Sequence, residues 1–232
     1  MPLFQGVIVM CNAACLEFGR TNIREEEVRG KTVIEVGALD INGSLRQIVE
    51  ALRPKSYVGV DIQKGPGVDY ICDAHSLLNH FSKETGDLLI STELFEHVRD
   101  WRVVVSNFKN ILKPGGIVLI TTRSRGFPFH GYPCDYWRYE LSDMQAIWSD
   151  FIIESIESDP LAPGVFLKAR KPKTFTENDL TRYTLYSPIK NKLTLTITAA
   201  DIDKFRLCYM PRLFLSGIAT AFSLITKKLF GR

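Results

Sequence analysis

The sequence predicts an α/β fold with a doubly wound, mostly parallel sheet of seven strands. Apolar runs of strand length alternate with helix-like stretches through the middle of the chain, as in parallel strands joined by crossover helices. The first two runs, residues 32–36 and 57–60, each end beside a carboxylate. The last two runs, residues 151–156 and 164–169, are separated by a short turn, which predicts an antiparallel pair at one edge. These observations indicate a Rossmann-like architecture with an antiparallel edge strand.

The other elements follow from the hydrophobic pattern and the turn residues. Residues 1–30 are expected to form a helical lead-in, with a helix over residues 12–29. The motif Lys113-Pro-Gly-Gly116 is expected to be a turn that ends a helix, since proline and glycine both interrupt helices. Further strands are expected at residues 68–72, 87–91 and 117–122, and helices at residues 44–52, 76–83, 101–112 and 141–149.

The character of the chain changes after residue 171. We expect residues 31–171 to form the sheet-bearing domain and residues 172–232 to form a C-terminal extension, with a β-like run at residues 192–198. An apolar helix is expected at residues 213–230. It could pack on the domain, form a homodimer surface or lie on a membrane. We favour packing or dimerisation, because its polar face is made of small hydroxyls rather than charges.

Composition excludes several classes of protein. The formal net charge is +3 in 232 residues, which gives no reason to expect a nucleic-acid partner. The five cysteines are scattered without a C-x-x-C pair, as in a cytoplasmic protein with reduced thiols, and the four histidines have no metal-binding spacing, so no metal site is expected. The sequence contains no continuous apolar run of about 18 residues, so no membrane span is expected. An export signal would need a basic residue near its start, but no Lys or Arg precedes Arg20, so export is not expected either. Peripheral membrane contact stays open.

The loop after the first strand indicates the kind of cofactor. A dinucleotide site needs G-x-G-x-x-G, but this loop has Gly37 and Gly43, with Leu39 where the close-approach glycine would stand. This argues against a bound pyrophosphate. S-adenosyl-L-methionine carries no phosphate: Glu35 can organise its ammonium end, and Asp61 can accept hydrogen bonds from both ribose hydroxyls.

On these residues the chain resembles the class I S-adenosylmethionine-dependent methyltransferases, specifically the type 11 methyltransferase group. The resemblance covers residues 33–171 and rests on the order and spacing of several motifs. They are Glu35-Val-Gly37 with Asn42-Gly43-Ser44, Val60-Asp61, Asp73-Ala74-His75-Ser76, Ser91-Thr-Glu93 with Glu96-His97-Val98, and Leu112-Lys-Pro-Gly-Gly116. The departure lies in the glycine loop, where the usual G-x-G of the group is Gly37-Ala-Leu39.

The resemblance implies a set of cofactor contacts. Asp73 would accept a hydrogen bond from the adenine amino group, the Ala74 amide would bind the ring, and Thr92 and Glu93 would line the other side. The residues expected at the cofactor are Glu35, Gly37, Gly43, Asp61, Ile62, Asp73, Ala74, Thr92 and Glu93. Asp61 and Asp73 also have a structural interpretation, as caps of the turns or helices that follow them.

A loop after the fifth strand, residues 123–139, is the expected acceptor site. It combines aromatic side chains, arginines, a histidine and an aspartate at a strand's carboxyl end, where such sheets bind ligands. His130 is the first candidate general base, because histidine titrates near neutrality, and Asp135 is the second. The residues expected to shape the pocket are Tyr132, Tyr136, Trp137 and Arg138. Alternatively, residues 135–138 pin the loop to the sheet. His97 is expected to be structural.

The sequence therefore predicts an enzyme that uses S-adenosyl-L-methionine to methylate a small-molecule or glycan acceptor, at oxygen, by in-line displacement. Segments similar to H-G-Y-P-x-D-Y-W-R occur in members of the resembled group that look like glycan- or small-metabolite-modifying enzymes. The alternatives are a non-catalytic methyltransferase-like partner subunit and, less favoured, an NAD(P)-dependent oxidoreductase. The sequence does not identify the acceptor.

Overall fold

The computed structural model describes residues 12–130 and 134–208. The strands are β1 (Thr32–Val36), β2 (Ser56–Asp61), β3 (Tyr70–Ile71), β4 (Gly86–Thr92), β5 (Leu112–Arg123), β6 (Ile152–Ser158), β7 (Gly164–Arg170), β8 (Leu185–Ser187) and β9 (Lys192–Thr194). The helices are α1 (Ala13–Asn22), α2 (Glu25–Val28), α3 (Arg46–Ala51), α4 (Leu77–His80), α5 (Trp101–Ile111) and α6 (Leu141–Ile147), with 3₁₀ turns at Ala74–Ser76 and Phe95–His97.

The main sheet has seven strands in the order β3-β2-β1-β4-β5-β7-β6. β1 lies near the centre and pairs in parallel with β2 on one side and β4 on the other. The chain therefore winds outward in both directions from β1. The crevice between the carboxyl ends of β1 and β4, where the winding changes direction, is where such sheets bind ligands. The predicted doubly wound, mostly parallel α/β fold is confirmed.

β7 runs antiparallel to both of its neighbours, β5 and β6. The two closing strands thus form the predicted antiparallel pair. Because β6 pairs on the outer side of β7, the antiparallel strand lies one place inside the edge of the sheet, and the edge strand β6 runs parallel to the others. Burial agrees with this order, since β7 is buried along almost its whole length and β6 is only partly covered.

Helices cover both faces of the sheet. On α5, Trp101, Val104, Val105, Phe108 and Ile111 repeat at helical spacing and are all buried. They belong to one hydrophobic cluster, whereas buried residues of α1 and α3 belong to a second. Successive residues of β4 and β5 alternate between the two clusters, which puts the clusters on opposite faces.

Several local elements differ from the prediction. The helix expected over residues 12–29 is two helices, because the backbone becomes extended at Ile23, whose side chain is buried. The helix expected at residues 76–83 is reduced to a 3₁₀ turn and the four-residue α4. Lys113-Pro-Gly-Gly116 begins β5 instead of forming a separate turn, and the register of β5 against β4 shifts there to accommodate it.

The first part of the C-terminal segment packs on the main domain. Leu185, Ile189 and Ile197 are buried in the same cluster as α5, and Tyr186 forms a β-bridge with Arg138. The β-like run expected at residues 192–198 is the shorter β9, which pairs with β8. Residues 199–208 are helical. The described part of the extension is therefore packed on the main domain.

Arg102 of α5 fastens this segment to the domain. Its guanidinium donates hydrogen bonds to the carbonyl oxygens of Leu180 at 2.7 Å, Leu195 at 3.0 Å and Tyr183. The apolar helix expected at residues 213–230 lies outside the described residues, so its predicted roles stay predictions. Within residues 12–130 and 134–208, no helix has the length and apolar character needed to cross a bilayer.

Candidate functional site

A cavity of about 650 Å³ opens at the carboxyl ends of β1, β2 and β4. Its walls are the loop after β1, the turn after β2, the segment leading into the first 3₁₀ turn and the turn between β4 and α5. All nine residues predicted at the cofactor line this cavity. The structure therefore brings them together beside β1, around a volume suited to a small-molecule ligand. Their individual contacts with a cofactor stay predictions.

The backbone amides of the glycine loop are used within the protein. Gly37 has a positive φ of 81°, and a Cβ added there would lie 3.2 Å from the Leu94 Cβ, so the sharp turn requires glycine. Four successive amides donate to protein acceptors: those of Gly37 and Ala38 to the Val60 carbonyl, that of Leu39 to the Asp61 carboxylate and that of Asp40 to the Pro66 carbonyl. None of these four N–H groups is left to bind a pyrophosphate.

Glu35, near the end of β1, is a buried acid that lines the cavity. It is 2% exposed, and its Oε2 accepts a hydrogen bond from the Tyr57 hydroxyl at 2.7 Å. Burial raises the pKa of Glu35 to about 7, although the Tyr57 hydrogen bond and the charge of Arg46 lower it. Beside the cavity, such a carboxyl is poised to ionise when a positively charged group binds.

Asp61 is the last residue of β2, Ile62 follows it, and both line the same cavity. The two carboxylate oxygens of Asp61 accept hydrogen bonds from the backbone N–H groups of Leu39, at 3.2 Å, and Gln63, at 3.0 Å. These bonds fix the carboxylate, and each oxygen retains a further lone pair. Ile62 is 49% exposed, so an apolar side chain stands directly beside a fixed acceptor.

Asp73 both caps a 3₁₀ turn and lines the cavity. Its Oδ1 accepts a hydrogen bond from the backbone N–H of His75 at 2.9 Å and lies 2.7 Å from His75 Nδ1. Burial raises the pKa of Asp73, but the hydrogen bonds to His75 outweigh it and lower the pKa overall. The capping interpretation is compatible with a cofactor contact, because more than half of the Asp73 side chain is still exposed.

Glu93 directly follows β4 and is held by a buried ion pair. Its carboxylate pairs with the guanidinium of Arg123, which in turn lies 3.1 Å from Asp159 Oδ2. Cys15 Sγ is 3.6 Å from Glu93 Oε1. Glu93 also has a positive φ of 57°, a conformation that non-glycine residues rarely adopt. Glu93 therefore lines the cavity with its charge already opposed by Arg123.

Of the residues predicted at the acceptor, some line the cavity and others are buried away from it. Tyr136 lines the cavity, whereas Asp135, Trp137 and Arg138 are buried and do not line it. The Asp135 carboxylate pairs with both terminal nitrogens of the Arg138 guanidinium, and Trp137 Nε1 donates to the Arg99 carbonyl at 2.9 Å. These contacts match the alternative interpretation, in which residues 135–138 pin the loop to the sheet.

His130 does not line the cavity either. It is 3% exposed, between the carboxylates of Asp135 and Glu96. Burial lowers the pKa of His130, but hydrogen bonding to Asp135 and the charge of Glu96 outweigh it and raise the pKa to about 9. Because its ring is buried outside the cavity, His130 is not placed to take a proton from an acceptor bound there. Neither His130 nor Asp135 lines the cavity, and their role as catalytic bases stays a prediction. Tyr132 lies outside the described residues.

The turn between β4 and α5 supplies cavity residues that the sequence did not single out, among them Arg99, Asp100 and Val103, and it also supplies His97, which was expected to be structural. His97 Nδ1 lies 2.6 Å from the Cys134 carbonyl oxygen, which can only accept, so Nδ1 carries the proton. Val103 is 47% exposed. The available signal was position alone, since this turn follows the carboxyl end of a central parallel strand.

Comparison with known proteins identifies a family. A family model described as a methyltransferase domain matches residues 17–182. Two similar proteins are the ubiquinone biosynthesis O-methyltransferases of Parvibaculum lavamentivorans, 28% identical over 110 residues, and of Idiomarina loihiensis, 29% identical over 109 residues. These matches cover 46% and 41% of this chain and 43% and 44% of the relatives, so the chain spans less than half the length of the curated relatives it matches.

Two solved structures share the fold. An S-adenosylmethionine-dependent methyltransferase from Mesorhizobium loti has a TM-score of 0.54 and 18% identity, over 69% of this chain and 99% of that chain. The 1,6-didemethyltoxoflavin-N1-methyltransferase of Burkholderia thailandensis has a TM-score of 0.56 and 14% identity, over 68% and 79%. The family indicated by the sequence motifs is confirmed. The chain belongs to the methyltransferase domain family, and its fold is that of the class I S-adenosylmethionine-dependent methyltransferases.

Proposed function

We propose that this chain transfers a methyl group from S-adenosyl-L-methionine to an oxygen atom of a small-molecule acceptor. The observation that carries the proposal is one cavity that combines two carboxyl groups, Glu35 and Asp61, with the exposed apolar side chain of Ile62. This combination suits a ligand with an ammonium group, a ribose and a flat base. Membership of the methyltransferase domain family supports it.

Each part of this cofactor has a partner in the cavity. Asp61, fixed by two backbone N–H groups, has lone pairs on both oxygens for the two ribose hydroxyls. Ile62 offers an apolar surface to the adenine ring. Glu35 ionises when the ammonium group binds, because the opposite charge offsets the effect of burial on its carboxylate. A dinucleotide fits less well, since the amides of residues 37–40 already donate within the protein.

The cavity lining outside the nine predicted cofactor residues suits an acceptor with an apolar part. It includes Leu94, Val98, Val103 and Tyr136. The two curated relatives carry the name O-methyltransferase, which supports oxygen as the methylated atom. We therefore favour a phenol or alcohol on a largely apolar small molecule, and a glycan hydroxyl is the second acceptor class to test.

The main contribution of the chain to the proposed reaction is to position the acceptor. When bound, S-adenosyl-L-methionine supplies an electrophilic methyl group on its sulfonium. The chain must hold the acceptor oxygen in line with that group, an effect worth up to about 7–11 kcal/mol in favourable cases. Tyr136 and Val103 are suited to this because they line the wall beyond the predicted cofactor residues. A phenol needs little help from a side-chain base, which agrees with the burial of His130.

Calorimetric titration tests the cofactor. The purified protein is titrated with S-adenosyl-L-methionine, S-adenosylhomocysteine, NAD and NADP. We expect micromolar binding of the two adenosyl-sulfur ligands alone, and a loss of about 100-fold in affinity in Asp61→Ala, since two charge-assisted hydrogen bonds disappear. Asp203→Ala, which removes an exposed carboxylate of the C-terminal helical segment, is the matched control. Absence of binding by the intact chain would favour a non-catalytic partner subunit.

Radiolabelled methyl transfer tests the acceptor class. Phenols and alcohols with apolar substituents are compared with sugars and oligosaccharides of similar size. We expect transfer to the first group, and lower transfer after Val103→Asp, which puts a charge on the apolar wall. Transfer to the saccharides alone would reject the apolar-acceptor part of the proposal while leaving the cofactor part intact.

A further inference from the structure

Three buried ligand atoms converge between the turn after β4 and the loop after β5. Glu96 Oε1 lies 3.7 Å from His130 Nε2 and 3.9 Å from His97 Nε2, and all three atoms lie within 4.8 Å of one another. These separations are too long for hydrogen bonds. Each of the three atoms is buried and has no hydrogen-bond partner within the described residues. Buried polar atoms without partners are costly, so the cluster points to something that binds them.

In each of these three side chains, the other oxygen or ring nitrogen lies close to a polar partner in the protein. Thr122 Oγ1 donates to Glu96 Oε2 at 2.8 Å, His97 Nδ1 donates to the Cys134 carbonyl at 2.6 Å, and His130 Nδ1 lies 3.0 Å from Asp135 Oδ2. Because a carbonyl and an ionised carboxylate only accept, both Nδ1 atoms carry protons and both Nε2 atoms face the cluster. Metal-ligating histidines are oriented in this way, by a carbonyl or carboxylate on the far ring nitrogen.

We propose that Glu96, His97 and His130 bind one divalent transition-metal ion, with zinc as the best match. Two imidazole nitrogens and one carboxylate oxygen form a common donor set for zinc, whereas magnesium prefers oxygen ligands. Ligand atoms about 2.0–2.1 Å from a tetrahedral zinc are about 3.3–3.4 Å apart. The two separations from Glu96, 3.7 and 3.9 Å, must therefore shorten by roughly half an ångström, and the separation of the two Nε2 atoms, which is within 4.8 Å, by up to about 1.4 Å.

Such an ion would tie two segments of the chain together. Glu96 and His97 belong to the 3₁₀ turn Phe95–His97, and His130 belongs to the loop after β5. His97 lines the acceptor side of the cavity, while none of the nine predicted cofactor residues belongs to the cluster. The metal site is therefore additional to the proposed methyl transfer. A bound ion would hold His97 in the cavity wall where the acceptor is proposed to bind, and it would leave the cofactor contacts unchanged.

Metal titration of the full chain tests the proposal. The protein is stripped with a chelator, then titrated with Zn²⁺ in competition with a chromophoric chelator, and with Co²⁺ followed by visible absorption. We expect one equivalent of each ion to bind. His97→Gln and His130→Gln should each raise the dissociation constant at least about 100-fold, because a ligand is lost. His80→Gln is the matched control, since His80 is exposed at the end of α4, and it should bind as the intact chain does.

A second variant keeps all three ligands and guards against misfolding. Thr122→Val removes only the hydrogen bond to Glu96 and should weaken Zn²⁺ binding by about 10–100-fold. Added Zn²⁺ should raise the melting temperature of the intact chain and of His80→Gln, but not that of His130→Gln. No stoichiometric binding by the intact chain, or binding retained in both His97→Gln and His130→Gln, overturns the proposal and leaves the cluster to a bound water. Titration with S-adenosyl-L-methionine in the same preparation reports separately on the proposed function.

Discussion

Replacing Glu35 by glutamine is expected to stabilise the protein at about pH 8 and to change its stability little near pH 4.5. Burial raises the pKa of the Glu35 carboxyl from 4.5 to about 7, against the opposing hydrogen bond from Tyr57. The unfolded chain releases this proton near pH 4.5, while the folded chain holds it until about pH 7. The folded state therefore loses stability as the pH rises through that interval, at about 1.4 kcal/mol for each pH unit. The loss reaches roughly 3 kcal/mol at about pH 8.

Urea unfolding at several pH values measures this effect. Glutamine keeps the size of Glu35 and an acceptor oxygen for Tyr57, but it cannot ionise. The difference in unfolding free energy between Glu35→Gln and the intact chain should grow from near zero at about pH 4.5 to roughly 2–3 kcal/mol at about pH 8. Glu157→Gln, at an exposed position of β6, controls for general charge effects. A difference that does not change with pH would show that burial does not govern the titration of Glu35.

Three further substitutions test other contacts by urea unfolding. Gly37→Ala should lose about 1–3 kcal/mol, because alanine is strained at a φ of 81° and its Cβ would crowd Leu94; unchanged stability would show that the loop relaxes. Arg138→Met should lose about 3–5 kcal/mol, because the buried Asp135 loses its guanidinium partner and keeps only its contacts with His130, and cofactor affinity in calorimetry should be unchanged. Intact stability with lost methyl transfer would instead put Arg138 in the acceptor site. Lys109→Met should lose about 3–5 kcal/mol, because its ammonium neutralises a buried carboxylate, and a loss below about 1 kcal/mol would contradict this.

The main sheet is predictable from the sequence because its inner strands are apolar runs bounded by turn residues. β1 coincides with the predicted run, and the closing antiparallel pair follows from the short turn between its strands. The lengths of the shortest elements are less predictable. The strand expected at residues 68–72 is the two-residue β3, and the helix expected at residues 76–83 includes only the four-residue α4, because elements this short do not fill a hydrophobic period. The position of β7 between β5 and β6 is set by long-range pairing, which local pattern does not encode.

The grouping of the nine predicted cofactor residues around one cavity is predictable, because most of them lie at or just after the carboxyl ends of strands at one edge of the sheet. The acceptor side is not. Asp135 and Arg138 are polar residues of a loop at that edge, but they pair with each other instead of facing the cavity. Composition cannot distinguish these two cases. The Glu96, His97 and His130 cluster is missed for a related reason, since two of its members are adjacent and the third comes from another loop, so no metal-binding spacing arises.

The packing of residues 180–197 on the main domain determines where the chain can be truncated without loss of stability. The family match ends at residue 182, but Leu185, Ile189 and Ile197 are buried in the main hydrophobic cluster. A chain truncated at the family boundary would lose these three side chains, each worth about 1.5–3 kcal/mol when fully buried. It would also leave Arg102 without two of its carbonyl partners. That total is comparable with the entire net stability of many domains, about 5–15 kcal/mol, so a transplantable unit must extend through Ile197.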